Sequence, residues 1–287
     1  MAGQGSLVVV GTPIGNLADL SPRAAEALRG ADVVACEDTR RTAPLLRHAG
    51  ADAPMVAVHQ HNEAARAADL VARMRAGARV ALVSDAGMPL VSDPGARLVR
   101  AALDAELPVE VVPGPSAVTA ALAASGLAGE GGFVFLGFAP RRAAERRRLV
   151  ERLAGLEVPA VAFESPRRLP GLLAEIAAAL PDRPVAVCRE LTKLHEEVVR
   201  GTAAEVARRL AEPPRGEVTV VVGAAPAAAA PDEARLREVL AVLREAGLGP
   251  ARAAEVAAAL GAAPRNRAYR EALAGRDGAE GGPDEPH

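Results

Sequence analysis

The sequence predicts an α/β protein built from two sheets, the first mainly parallel. Three observations lead there. Short β-rich runs alternate with helical periodicity through the first 115 residues, the pattern of a parallel sheet with helices on both faces. The predicted strands run out into loops of Gly, Pro, Asn and charged residues rather than tight turns. A chain of 287 residues, half of them hydrophobic, is long for one core and divides naturally into two.

Ser6–Val10 is the first strand and ends in G-T-P-I-G-N (11–16). A helix follows, with Ser21 as N-cap, Pro22 at its first position and Gly30 as its stop. Val33–Cys36 is the second strand, followed directly by Glu37-Asp38-Thr39-Arg40-Arg41. Met55–Val58 is the third; Asn62 then caps a helix reaching Gly77. The stretch V-A-L-V-S-D-A-G-M-P-L-V-S-D-P-G (80–95) organises the first half: a buried strand breaks into a loop with two Gly and two Pro. Asp93 is expected to cap, and Pro94 to open, a helix over Ala96–Ala105. Val109–Val112 completes the first sheet, and Pro113–Pro115 reads as a hinge.

Beyond the hinge, Phe133–Phe138, Ala160–Phe163, Val185–Cys188, Val198–Val199 and Val218–Val222 read as strands. Glu196–Thr202 has no helix before it, so this second sheet should be mixed, with antiparallel pairs. Gly223–Pro231 is an Ala/Pro linker, and Asp232–Leu273 holds three short helical patterns that should dock on something. The expected domains are 1–115, 116–226, a linker and small helical segment over 227–274, and a disordered tail over 275–287.

A net charge of −2 excludes a globally basic nucleic-acid binder but leaves local patches open. Aromatics are only 2%, so stacking on large π surfaces is not the main binding device. Basic charge is nearly all Arg, Lys193 being the single Lys. Cys36 and Cys188 each close an apolar run and read as buried free thiols. With neither a leader-like N-terminus nor an apolar stretch of membrane-spanning length, the chain reads as soluble and cytoplasmic.

Seven loops sit at carboxyl ends of predicted strands: 11–16, 37–41, 59–63, 84–95, 113–116, 164–168 and 189–193. In a parallel sheet such ends converge on one rim, so a cleft between the two sheets is expected. G-T-P-I-G-N is neither a dinucleotide fingerprint nor a P-loop, because Pro13 lacks an N–H where a pyrophosphate needs one. His59 and His61 with Glu63 fall short of a metal set, and no metal is expected. Glu37, Asp38, Asp85, Glu164 and Glu190 are candidates for a general base or orienting carboxylate, each equally readable as a helix cap or the partner of an adjacent Arg. Arg141, Arg142, Arg146, Arg147, Arg148 and Arg152 fall on one helix predicted over Pro140–Leu153, offset only by Glu145 and Glu151, and point to an anionic partner.

These stretches, with C-E-D-T-R (36–40), H-Q-H-N-E (59–63), V-P-G-P-S-A (112–117), E-S-P-R-R-L (164–169), R-E-L-T-K (189–193) and R-G-E (215–217), resemble the ribosomal small-subunit methyltransferase I group of the tetrapyrrole-methylase superfamily. The likeness runs in order from Leu7 to about Val222 and extends into the closing helices near Tyr269. Two residues depart from the usual pattern: Met88 where Thr is usual, and Arg167 where His is usual.

The resemblance implies a two-domain tetrapyrrole-methylase-like fold (class III methyltransferase) with a small C-terminal helical segment. It implies S-adenosyl-L-methionine held by Pro13, Asp85, Gly87, Met88, Pro89, Ser92, Ser116, Ala117, Phe163, Leu191, Gly216 and Glu217. It also implies a homodimer and 2′-O-methylation of a cytidine in the decoding region of 16S rRNA. Glu37, Asp38, His61 and Glu63 are the candidate bases, and Arg40, Arg141, Arg146, Arg147, Arg148 and Arg167 the candidate RNA contacts. Low net charge and scarce aromatics favour the assembled small subunit over naked RNA, and recognition of a 2′-hydroxyl excludes DNA. The alternatives are a methyltransferase of tetrapyrrole precursors with the same fold, told apart by its indifference to the Arg-rich helix, and a non-catalytic assembly factor, told apart by failure to bind the cofactor.

Overall fold

The computed structural model describes residues 5–59, 61–226, 233–263 and 265–277. Residues 5–225 form one compact unit holding two five-stranded sheets. The first contains β1 (Ser6–Val10), β2 (Val33–Cys36), β3 (Met55–Ala57), β4 (Arg79–Leu82) and β5 (Val109–Val112), in the order β3-β2-β4-β1-β5 and parallel throughout. Along β1, Leu7 and Val9 enter one core and Val8 and Val10 the other, so the strand is apolar at every position because both faces are covered. Helices α1 (Pro22–Arg29) and α2 (Thr39–Ala49) cover the face of Val8. Helices α3 (Glu63–Arg75) and α4 (Ala96–Asp104) cover the face of Leu7.

That division has a consequence for binding. Adjacent strands β1 and β4 send their chains to opposite faces, β1 to α1 and β4 to α4, which opens a crevice at their carboxyl ends. Ser21 caps α1 as expected, accepting from the Ala24 N–H at 3.1 Å, with Pro22 first in the helix.

The chain crosses from the first sheet to the second at Pro113–Ser116. Gly11 and Gly114 make the crossing possible: a Cβ on Gly114 would lie 2.8 Å from the Gly11 Cα. Helix α5 (Ala117–Ser125) then packs on the second sheet through Val118 and Ala121. That sheet comprises β6 (Val134–Phe138), β7 (Ala160–Glu164), β8 (Pro184–Arg189), β9 (Glu197–Thr202) and β10 (Val218–Val222), in the order β6-β7-β10-β8-β9. It is mixed, as Glu196–Thr202 foretold: β6 and β7 are parallel, every other pair antiparallel. Central β10 pairs Val220 with Ala162 on one side and Val187 on the other. Its far face carries α6 (Ala143–Ala154), α7 (Leu169–Ala179) and α8 (Ala203–Arg209).

A second unit begins at Pro226. Its helices α9 (Glu233–Glu245), α10 (Pro250–Ala259) and α11 (Arg265–Asp277) enclose a small core of Leu236, Leu240, Ala253, Ala254, Ala257 and Ala268. The linker residues 227–232 and the expected tail from 278 onward lie outside the described residues; 275–277 continue α11. Among the described residues no helix is long and apolar enough to cross a membrane.

Candidate active site

The loops after β1, β2, β4, β5 and β7 and before β10, with the last residue of β6, meet around one cavity of about 460 Å³. One wall belongs to the first sheet: Ile14, Glu37, Arg41, the loop Asp85–Met88 and Val91–Asp93. The other carries Phe138, Phe163, Glu164, Ser165, Pro166 and Gly216–Thr219, with Ser116 and Ala117 at the crossing. Of the residues expected to hold a cofactor, Asp85, Gly87, Met88, Ser92, Ser116, Ala117, Phe163, Gly216 and Glu217 line this cavity. Pro13 and Pro89 are buried and are not on its wall. Leu191 packs with Phe163 against the core of Val118, Ala121 and Cys188 rather than on the wall.

The β4 loop is held from several sides. The Gly87 carbonyl accepts from the Thr12 N–H at 2.9 Å, the Thr12 hydroxyl at 3.1 Å and the Ser84 hydroxyl at 2.9 Å. Met88 keeps a polar contact despite lacking a hydroxyl, its sulfur accepting from the Gly114 N–H at 3.3 Å. Leu90 and Ser92 sit in left-handed backbone (φ 73° and 72°), a conformation non-glycine residues adopt only where surroundings enforce it.

Helix α4 does not start as the sequence implied. Asp93 and Pro94 precede it; Gly95 (φ 124°) is the N-cap and supplies no side chain. The cap comes from Glu63, whose Oε1 accepts from the Gly95 N–H at 3.0 Å and the Arg97 N–H at 2.7 Å. A carboxylate at a helix N-terminus meets both orphan donors and the positive end of the dipole. This corrects the expectation for Glu63: it is buried, engaged and off the cavity wall.

Released from capping, Asp93 faces the cavity. Burial first, then the charges of Glu37 and Asp85, push its carboxyl up to about 6. Glu37 is also raised, by burial and then by Asp85. Asp85 itself accepts from the Asp38 N–H at 3.1 Å and lies 3.5 Å from Arg41 Nη1. Asp38 behaves otherwise. It caps α2, accepting from the Arg40 N–H at 2.9 Å, and grips the Arg40 guanidinium, which holds its carboxyl down to about 2. Such a carboxylate is a weak proton acceptor, and Arg40 is committed to it. His61 is exposed, with His59 6.2 Å away, and neither imidazole is on the cavity wall.

The Arg-rich segment also divides. Helix α6 begins at Ala143, so Arg141 and Arg142 precede it. Arg146 is not a free surface cation: its Nη2 and Nε bind the Glu175 carboxylate at 2.5 and 3.1 Å, tying α6 to α7. Arg147 and Arg148 are exposed, with no ion-pair partner among the described residues, and Arg167 is exposed in the turn after β7. Sequence reasoning missed Asp93, Arg41, Phe138 and Thr219 on the wall; for Asp93 the signal was present in S-D-P-G but read as a cap.

A methyl-sulfonium cofactor fits this donor set. The acidic lining suits a cation, and Phe163 forms edge-to-face contacts with Phe135 and Phe138 (centroids 5.0 and 5.4 Å) beside the cavity. The buried Glu164 Oε2 has no partner among the described residues.

The family model for tetrapyrrole (corrin/porphyrin) methylases matches residues 6–207. The chain is similar to ribosomal RNA small subunit methyltransferase I of Micromonospora olivasterospora, 46% identical over 83% of this chain and 78% of that one. It is similar to the protein of the same name in Mycobacterium bovis, 44% identical over 98% and 99%. A fold likeness links it to uroporphyrin-III C-methyl transferase from Thermus thermophilus complexed with S-adenyl homocysteine (TM-score 0.56, 23% identity, 76% of this chain and 97% of that one).

Proposed function

The chain belongs to the ribosomal RNA small subunit methyltransferase I family of the tetrapyrrole methylases, and from that premise we propose that it methylates the 2′-hydroxyl of a cytidine in the decoding region of 16S rRNA. The observation that carries the chemistry is Asp93, a carboxyl facing the cavity and held near 6. A general base works best when its pKa lies close to the operating pH.

When bound, S-adenosylmethionine supplies a methyl group on a sulfonium; the oxygen–methyl bond forms as the sulfur–methyl bond breaks, leaving S-adenosylhomocysteine. Residues Asp85, Gly87, Met88, Ser92, Ser116, Ala117, Phe163, Gly216 and Glu217 would hold it, while Pro13, Pro89 and Leu191 lie off the wall. The Asp93 carboxylate takes the proton of the 2′-hydroxyl. Glu37 and Asp85 keep that carboxylate basic, and Arg41 steadies Asp85. Alignment of hydroxyl and methyl group supplies much of the rate, and the tightly bonded β4 loop fixes it.

Arg147, Arg148, Arg141 and Arg167 meet RNA phosphates. A net charge of −2 and few aromatics favour the assembled small subunit as substrate. The protein works in the cytoplasm as a homodimer, and DNA lacks the group it methylates.

Alkaline hydrolysis of treated rRNA tests the assignment, because a 2′-O-methyl group blocks cleavage of the adjacent phosphodiester. One protected cytidine in the decoding region is expected. Cleavage at every position after full turnover would end the proposal, and methyl transfer to a tetrapyrrole precursor instead would favour the other activity of this fold.

A further inference from the structure

Glu164 closes β7 at the cavity wall with a side chain that is 0% exposed. One oxygen is fully used: Oε1 accepts from the Ser165 N–H at 2.6 Å and pairs with Arg168. Arg168 is itself fixed, donating from Nε to the Ser165 hydroxyl at 3.0 Å and from Nη1 to the Ala139 carbonyl at 3.3 Å. The second oxygen, Oε2, is buried and meets no donor among the described residues. A buried, unpaired carboxylate oxygen is costly, and a ligand donor recovers that cost. Its surroundings narrow the ligand. Phe163, Phe138 and Pro166 give flat apolar surface on the same wall, suited to a planar heterocycle with its polar edge toward the carboxylate.

We propose that Glu164 Oε2 accepts a hydrogen bond from the exocyclic amino group of a nucleobase bound in the cleft, and so reads base identity. This rests on the rRNA reading above, under which two bases can bring an amine: the target cytosine and the adenine of the methyl donor. Acceptance from cytosine N4 is a standard pairing for a carboxylate. Arg168 also links Glu164 to the Ala139 carbonyl, just before the Arg-bearing segment that leads into α6.

The Glu164→Gln variant inverts the polarity of this one position. Both Ser165 and Arg168 donate, so the amide oxygen is held where Oε1 was and the NH₂ takes the place of Oε2. For the cytosine source, E164Q should lose at least about tenfold in kcat/KM on subunits with cytidine at the target and gain on subunits with uridine there. Calorimetric affinity for S-adenosylhomocysteine should be unchanged. For the adenine source, E164Q should weaken that affinity about tenfold and leave the cytidine preference intact.

Wild-type protein supplies a test that needs no variant. It should prefer cytidine over uridine subunits, or S-adenosylhomocysteine over its inosine analogue, by about tenfold. Equal use of both bases together with equal binding of both nucleosides overturns the proposal. Failure of wild-type protein to protect any ribose from alkali would instead overturn the functional reading, so the two failures are separable.

Discussion

Asp93 should promote activity and lower stability, so the two effects have opposite signs. Its carboxyl rises from 3.8 to about 6 in the folded chain, so ionising it costs the fold more than ionising it in the unfolded chain, by about 1–2 kcal/mol once solvent screening of this half-buried group is allowed for. Below pH 4 the group is protonated in both states and carries no penalty. As pH climbs from 4 to 6 the unfolded chain releases the proton first, stability falls, and above 6 the full penalty is in force. Asp93→Asn removes the ionisation. At pH 8 the variant should melt about 2–6 °C above wild type, and near pH 4 the two should coincide. Methylation by the variant should drop about 10²–10⁴-fold, while wild-type kcat/KM should rise with pH to a plateau above about 6. Glu37 is the largest charge acting on Asp93, so Glu37→Gln should move that rising limb to lower pH. Calorimetric melts and a pH series on small subunits measure both. An Asn variant no more stable than wild type at pH 8, or a pH limb that stays put in Glu37→Gln, refutes the account of Asp93.

Glu63→Ala leaves the Gly95 and Arg97 amides without their acceptor and should cost about 1–3 kcal/mol in urea unfolding. If its folded fraction instead lost turnover at normal stability, Glu63 would be catalytic after all. Arg147→Glu with Arg148→Glu should reduce methylation of subunits by more than about tenfold and leave S-adenosylhomocysteine affinity unchanged by calorimetry. Arg146→Ala, by contrast, should register chiefly as about 1 kcal/mol of stability, since its guanidinium is spent on Glu175. Gly114→Ala drives a methyl group to 2.8 Å from the Gly11 Cα, so a thermal melt should show a loss of about 1–3 kcal/mol.

Much of this protein is written locally. Strand positions follow from apolar runs covered on both faces, and the Ser21-Pro22 start of α1 from caps that act within three residues. The mixed second sheet follows from a strand with no helix before it. The gathering of loops on one rim follows from parallel topology, and so most of the cavity lining was legible too. What the sequence could not assign is which of several equivalent carboxylates takes which task. Asp93 reads as a cap by its neighbours, yet Glu63, 32 residues before Gly95 in sequence, reaches α4 through the packing of α3 on α4 and leaves Asp93 to the cavity. Arg146 looks like its Arg neighbours until α7 presents Glu175. Motif and periodicity encode short-range backbone preference, whereas the charge a side chain carries and the partner it keeps depend on burial and on groups brought near by the fold. Only the tertiary structure decides those.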